Sequence, residues 1–290
     1  MRRRDVLKGM ALGGVAVAAA RLVPAVARPA LDGAGAKLAM LERRSGGRLG
    51  VAILDTRNGR PEGYRDDERF LMCSTFKLLL AAAVLQRADH GQEKLDRRIV
   101  FDKHVLLDYA PIAKQHVGPP GMTIAALCEA AVTWSDNTAA NLLLKEVGGP
   151  QAVTAYARSL GDQSTLLDRY EPALNPIDMT TPKSMLEDMR QVLLGDRLSR
   201  PSRELLIRWL VACQTGLQSL RAGMPRGWRI GDKTGEWDGN NAGANNDIAI
   251  VWPPGRKPIL VAAYYMNNTT GPATRKAVLA EVGRIVAALA

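Results

Sequence analysis

The sequence predicts a mixed α/β (α+β) fold: one antiparallel five-stranded sheet built from both ends of the chain, flanked by helices, with an all-α lobe inserted between the two halves. Three observations carry this expectation. Arg48-Leu49-Gly50-Val51-Ala52-Ile53-Leu54-Asp55-Thr56 reads as a strand, and Asn58-Gly59 as a hairpin turn into a second strand near Tyr64. From about Thr75 to Leu220 the apolar residues recur at helical spacing. Beyond Gly227 the pattern returns to strands, at residues 227–235, 247–252 and 259–265, with Asn240-Asn241 and Pro253-Pro254-Gly255 as the turns between them.

The remaining elements follow in order. Residues 36–44 are helical in period, and Gly46-Gly47 ends that helix. The hairpin then leads to Cys73-Ser74-Thr75-Phe76-Lys77, which opens the run Leu78-Leu79-Leu80-Ala81-Ala82-Ala83-Val84-Leu85. Such a run of strong helix formers predicts a buried helix with Ser74 and Lys77 in its first turn. Further helices are predicted at 124–132, 138–147, 152–160, 182–194 and 202–213, and a last one at 274–289. The α/β lobe accordingly comprises about 28–73 and 221–290 and the all-α lobe about 74–220. The cleft between them is the expected site of chemistry.

With 290 residues and 47% hydrophobic content, the chain has enough apolar side chains for a large core. Its formal charge of +10 is partly N-terminal, and no Lys/Arg run interleaved with aromatics follows, so nucleic acid is not an expected partner. Arg2-Arg3-Arg4-Asp5-Val6-Leu7-Lys8 precedes a mildly apolar stretch and the small-residue site Ala25-Val26-Ala27, which describes an export signal cleaved after Ala27. The paired arginines resemble a twin-arginine signal. Its removal takes five basic residues and one acid, leaving +6. The mature chain is expected in the periplasm or secreted, as a monomer with no stable membrane insertion. Cys73, Cys128 and Cys213 imply no disulfide framework, and Cys73 reads as a small buried hydrophobe. His90, His104 and His116 lack metal-ligand spacing, so neither a metal nor a cofactor is expected.

Three short motifs carry chemistry. In Ser74-x-x-Lys77 a hydroxyl that needs a base has a lysine on the same helical face, while a helix N-terminus favours developing negative charge. Ser135-Asp136-Asn137 follows an apolar helix, where buried polar groups would need partners. Lys233-Thr234-Gly235 lies in a strand, where glycine admits close approach of another group. Each alone fits a helix cap or an ordinary strand.

Together and in this order, the three motifs resemble the signatures of the serine β-lactamase and penicillin-binding-protein superfamily. Arg169-Tyr170-Glu171-Pro172-Ala173-Leu174-Asn175 resembles the Ω-loop signature of class A β-lactamases, Tyr109-Ala110-Pro111 the family's cleft-edge segment, and Asn141 falls on the helix after Ser135-Asp136-Asn137. The resemblance covers essentially the whole mature chain. It implies hydrolysis of the amide bond of penicillins and cephalosporins through an acyl-enzyme, conferring antibiotic resistance. Ser74 would be the nucleophile, its proton taken by Lys77 or by Glu171 through water. Backbone N–H groups of Ser74 and Glu236 would hold the oxyanion. Ser135 would relay a proton to the leaving nitrogen, Lys233 would keep the field positive, and Glu171 with Asn175 would activate water. Tyr109, Asn137, Thr234, Gly235 and Glu236 would contact substrate. A DD-peptidase-like penicillin-binding protein and a turnover-impaired penicillin binder share most of these residues.

Three departures from the family pattern are visible. Only Pro176-Ile177-Asp178-Met179 separates Asn175 from Thr180-Thr181-Pro182, whereas the family has a longer stretch ending in an aspartate that pairs with the loop arginine. Asp178 is the candidate partner for Arg169, and displacement of Glu171 is the expected hazard. Glu236 stands where serine, threonine or alanine is common, on the same strand face as Thr234. Its carboxylate either repels the substrate's own or pairs with a nearby arginine. Finally, Asn245-Asn246-Asp247 and Ser219 occupy the stretches where relatives place an anion-binding arginine, leaving Arg221, Arg229 and Arg275 as candidates. Trp237 and Ala81 occupy positions where family disulfides would need cysteine, so Cys73 and Cys128 are expected to be free.

Overall fold

A computed structural model describes residues 33–239 and 242–290. The expected export signal at 1–27, its cleavage point and the Asn240-Asn241 turn lie outside them. The N-terminal part contains α1 (Ala34–Ser45), β1 (Arg48–Asp55), β2 (Pro61–Tyr64) and β3 (Phe70–Leu71), then a 3-10 turn at Cys73–Thr75 and α2 (Phe76–Asp89). The middle holds β4 (Arg98–Ile99), β5 (Met122–Thr123), α3 (Ile124–Thr133), α4 (Asn137–Val147), α5 (Pro150–Ser159), β6 (Met179–Thr180), α6 (Pro182–Leu193) and α7 (Arg200–Val211). Last come α8 (Leu220–Gly223), β7 (Arg229–Gly239), β8 (Ala242–Trp252), β9 (Ile259–Met266) and α9 (Pro272–Ala287).

The principal sheet has the order β2-β1-β9-β8-β7 with every pairing antiparallel, so both chain ends build it, as the sequence predicts. The seam is the β1 to β9 ladder, from Arg48 opposite Met266 to Asp55 opposite Ile259. Because successive side chains face opposite sides, β9 serves two cores. Ile259, Val261, Ala263 and Tyr265 pack with Leu38 and Leu41 of α1 and Val278, Leu279 and Val282 of α9. Leu260, Ala262 and Tyr264 pack on the other side with α2 and α6. Both faces are covered, which is why β9 reads as an unbroken apolar run.

In α2, every residue from Phe76 to Leu85 is buried, including Lys77. A helix apolar all round belongs in the interior, and α2 is surrounded by α3, α4, α5 and α7. Ser74 lies one step earlier than the sequence predicts, in the 3-10 turn rather than in the α-helix. The cause is Cys73, whose φ of 46° bends the chain just ahead of the serine. The inserted lobe also departs from the all-α expectation. It contains β4 paired with β5, and β6 paired with β3 of the other lobe. Two-residue strands show no periodicity to read, and the approach of Gly121 to the backbone of Ile99, which leaves no room for a Cβ, is a tertiary contact. Among the described residues no helix is long and apolar enough to cross a membrane.

Leu79 is wholly buried in α2. Leu79→Ala should lower the unfolding free energy by about 2–5 kcal/mol, read from the midpoint of urea denaturation; an unchanged midpoint would show that α2 is not the packing centre.

Candidate active site

Each polar side chain of the site is set by a local backbone device. The φ of 46° at Cys73 and of 58° at Ser135 are left-handed conformations that non-glycine residues seldom adopt, and they flank the two serines' approach to each other. Asp136 fixes the second segment: its carboxylate caps α4 by accepting from Ala139 N at 2.8 Å and also accepts from the N–H groups of Ile112 and Ala113, both at 2.9 Å. The backbone N–H of Asn137 donates to Tyr109 O at 3.0 Å, which ties the cleft-edge segment to the same point. Lys233 projects from β7, the sheet's edge strand. Gly235 then passes so near the 3-10 turn that a Cβ there would lie 3.0 Å from Cys73 Cβ and from Met72 O.

The shortened loop from Arg169 to Asp178 is firmly held. Asp178, wholly buried, accepts from Arg169 Nη1 at 2.9 Å and from the backbone N–H groups of Asp168 and Arg169 at 2.9 and 3.0 Å. On the other side Asn141 makes a reciprocal pair with the backbone of Glu171, its Nδ2 donating to Glu171 O and its Oδ1 accepting from Glu171 N, both at 3.0 Å. Asp178 thus pairs with Arg169 as expected, and the loss of length does not displace Glu171 from the site.

Glu171, Lys77 and Ser74 converge. Lys77 Nζ lies 2.9 Å from Ser74 Oγ, 2.6 Å from Asn137 Oδ1, 3.0 Å from Ser135 O and 3.1 Å from Glu171 Oε1. Ser74 Oγ also lies 3.1 Å from Glu171 Oε1, while Asn175 Nδ2 donates to Glu171 Oε2 at 2.9 Å. Asn175 Oδ1 is buried without a protein partner. Lys233 Nζ donates to Ser135 Oγ at 2.9 Å and to Thr234 O at 2.7 Å. Both lysines are wholly buried. Burial lowers the pKa of Lys77 against the opposing pull of the Glu171 carboxylate. Burial, reinforced by the charge of Lys77, lowers that of Lys233 to about 8. The arrangement can take a proton from Ser74 and deliver one past Ser135.

A cleft of about 520 Å³ opens above this network. Of the residues predicted from sequence, Ser74, Tyr109, Ser135, Asn137, Asn175, Thr234 and Glu236 line it, whereas Lys77, Glu171, Lys233 and Gly235 lie beneath its wall. The expected arginine is corrected. Arg221 pairs with buried Asp232, Arg229 stacks on Trp252, and Arg275 is buried against Asn245 and Asp238. The cation at Glu236 is Lys276, with Nζ 2.7 Å from Oε2. Sequence reasoning missed Lys276 because it adjoins Arg275 in α9, and adjacent helical residues point about 100° apart, so only the packing shows which one faces the cleft. Thr215 was missed too; it hydrogen-bonds Thr234 side chain to side chain at 2.5 Å from a loop with no periodic signal. Cys73, Cys128 and Cys213 are free thiols, buried, with pKa values raised by desolvation. Among the described residues no group of three His, Cys, Asp or Glu side chains is arranged to hold a metal ion.

Comparison with known proteins agrees with this geometry. Residues 34–289 match the model of the β-lactamase enzyme family. The chain is 44% identical over 256 residues to β-lactamase OXY-1 of Klebsiella oxytoca, covering 86% of this chain and 87% of that protein. It is 44% identical over 287 residues to β-lactamase L2 of Stenotrophomonas maltophilia, covering 97% and 93%. Among solved structures, an ancestral class A β-lactamase superposes with a TM-score of 0.85 at 57% identity, covering 88% of this chain and 99% of that one. Sequence motifs, fold and relatives therefore agree, and this chain belongs to the class A serine β-lactamase family.

Proposed function

We propose that this protein hydrolyses the amide bond of penicillins and cephalosporins through an acyl-enzyme on Ser74. The observation that carries the proposal is the position of Ser74 Oγ, within 3.1 Å of both a buried amine and a buried carboxylate. Ser74 Oγ attacks the lactam carbonyl, and its proton passes to Lys77 or to Glu171. The negative charge formed on the carbonyl oxygen meets the backbone N–H groups of Ser74 and Glu236. The ring C–N bond then breaks, and the nitrogen takes a proton through Ser135, which Lys233 supports as a charged donor. In the second stage Glu171 removes a proton from water as that water attacks the ester. The unpartnered Asn175 Oδ1 supplies a second acceptor beside it. The C–O bond breaks and Ser74 regains its proton.

The pairing of Glu171 with Asn175 supports this reading over a penicillin-binding protein that is only blocked by the drug, because a carboxylate so held would supply a base to an acyl-enzyme on Ser74. The basic and apolar N-terminal sequence supports export of the chain to the periplasm or the medium before it meets such substrates.

Glu171→Gln should still acylate with benzylpenicillin while losing roughly 10²–10⁴-fold in the rate of release, so intact-mass measurement should find the adduct accumulating. Steady turnover at the native rate in that variant would remove Glu171 from the second stage. A second expectation concerns pH. The Lys233 ammonium persists below about 8 and is lost as the pH rises through that value, so kcat/KM for an anionic penicillin should fall on an alkaline limb centred near there. A profile flat through that region would show that its charge is not required.

A further inference from the structure

At the end of the cleft that Glu236 lines, the protein presents a cluster of donors that the reaction steps leave unused. Lys276 is the one cation among the described residues that line the cleft. Asn245 supplies a donor whose direction is fixed: its Oδ1 accepts from Arg275 Nε at 2.7 Å, which turns Nδ2 toward Glu236. Arg275 is itself immobilised, with only 1% of its side chain exposed and Nη2 on Asp238 at 2.8 Å. The hydroxyls of Thr215 and Thr234 lie alongside. A positive charge, a fixed amide N–H and the one hydroxyl proton that the Thr215–Thr234 hydrogen bond leaves over form a site for a carboxylate.

The chain's own carboxylate already sits there. Glu236 Oε2 accepts from Asn245 Nδ2 at 2.9 Å and pairs with Lys276 Nζ at 2.7 Å. Charges at this end are already matched, Lys276 by Glu236 and Asp238 by Arg275. An incoming anion must separate Glu236 from Lys276 or lie beside a like charge. With 42% of its side chain exposed, Glu236 is a competitor that can be displaced and not a permanent plug.

Resting on the β-lactamase reading, we infer that Glu236 is a resident anion which competes with a substrate's carboxylate for Lys276 and Asn245, and so sets specificity against lactams bearing a free carboxylate beside the ring nitrogen. Lactams in which that group is neutral escape the competition. The Glu236 side chain touches no reacting atom; its effect is on which substrates enter.

The test compares benzylpenicillin with its methyl ester, which differ by that charge and one methyl group, on the native mature protein, Glu236→Gln, Lys276→Met and the double variant. Glu236→Gln should move the ratio of kcat/KM for acid over ester toward the acid by about three- to tenfold, the range expected for release of one partly exposed ion pair. Lys276→Met should lower that ratio more in the Glu236→Gln background than in the native one, because only there is the ammonium free to meet substrate. A ratio unchanged by Glu236→Gln, or additive effects of the two substitutions, would overturn the inference while leaving acylation of Ser74 intact. Absence of acylation by either compound in the native protein would instead overturn the β-lactamase reading and this inference with it.

Discussion

The constraint on which the structure turns is the burial of the Lys77 amine. It is wholly enclosed, yet it meets Ser74, Asn137, the carbonyl of Ser135 and the carboxylate of Glu171 within 3.1 Å. An isolated ammonium in such a place would be strongly disfavoured, and it is tolerated only where partners surround it. Those partners come from separate parts of the chain: the turn before α2, the junction of α3 and α4, and the loop from Arg169 to Asp178. One side chain thereby requires that all three be held together. The supports that do so are correspondingly firm, with Asp136 joining α4 to the segment after Tyr109 and Asp178 closing the loop on Arg169.

The same constraint explains how the loop is shortened without losing its position. Its two ends are fixed by Asp178, through a side chain and two backbone N–H groups, and its centre by the reciprocal pair with Asn141. Glu171 is therefore positioned from both directions, and the length between Asn175 and Thr180 is not what places it. The loop is also bound to the segment that carries Ser74, since Met72 N donates to Asp178 O at 2.9 Å. A shift of the loop would be felt two residues from Ser74.

Much of this was legible in the residues. The strand patterns at 48–56 and 259–265, the apolar run after Lys77 and the three short motifs locate the sheet, the buried helix and the elements that meet at the cleft, because periodicity and turn residues act locally. What was not legible depends on packing. The bend at Cys73 packs against Gly235, a contact between positions far apart in the chain. Whether Arg275 or Lys276 faces the cleft depends on the rotation of α9 against β8, and a basic pair in sequence does not say which. The cation expected at Glu236 was the right charge in the wrong residue, and the displaced Glu171 expected from loop length overlooked anchors at both ends. The two-residue strands of the inserted lobe exist only as tertiary pairings.

On the proposed mechanism, Ser74 is acylated and then freed by a base held on a short loop. Its most direct test is rapid quenching of the native mature protein with excess benzylpenicillin, following the peptide that contains Ser74 by mass as substrate is consumed. A penicilloyl adduct on Ser74 should appear during turnover and vanish once the substrate is exhausted. An adduct that outlasts the substrate, or hydrolysis that persists in Ser74→Ala, would contradict it.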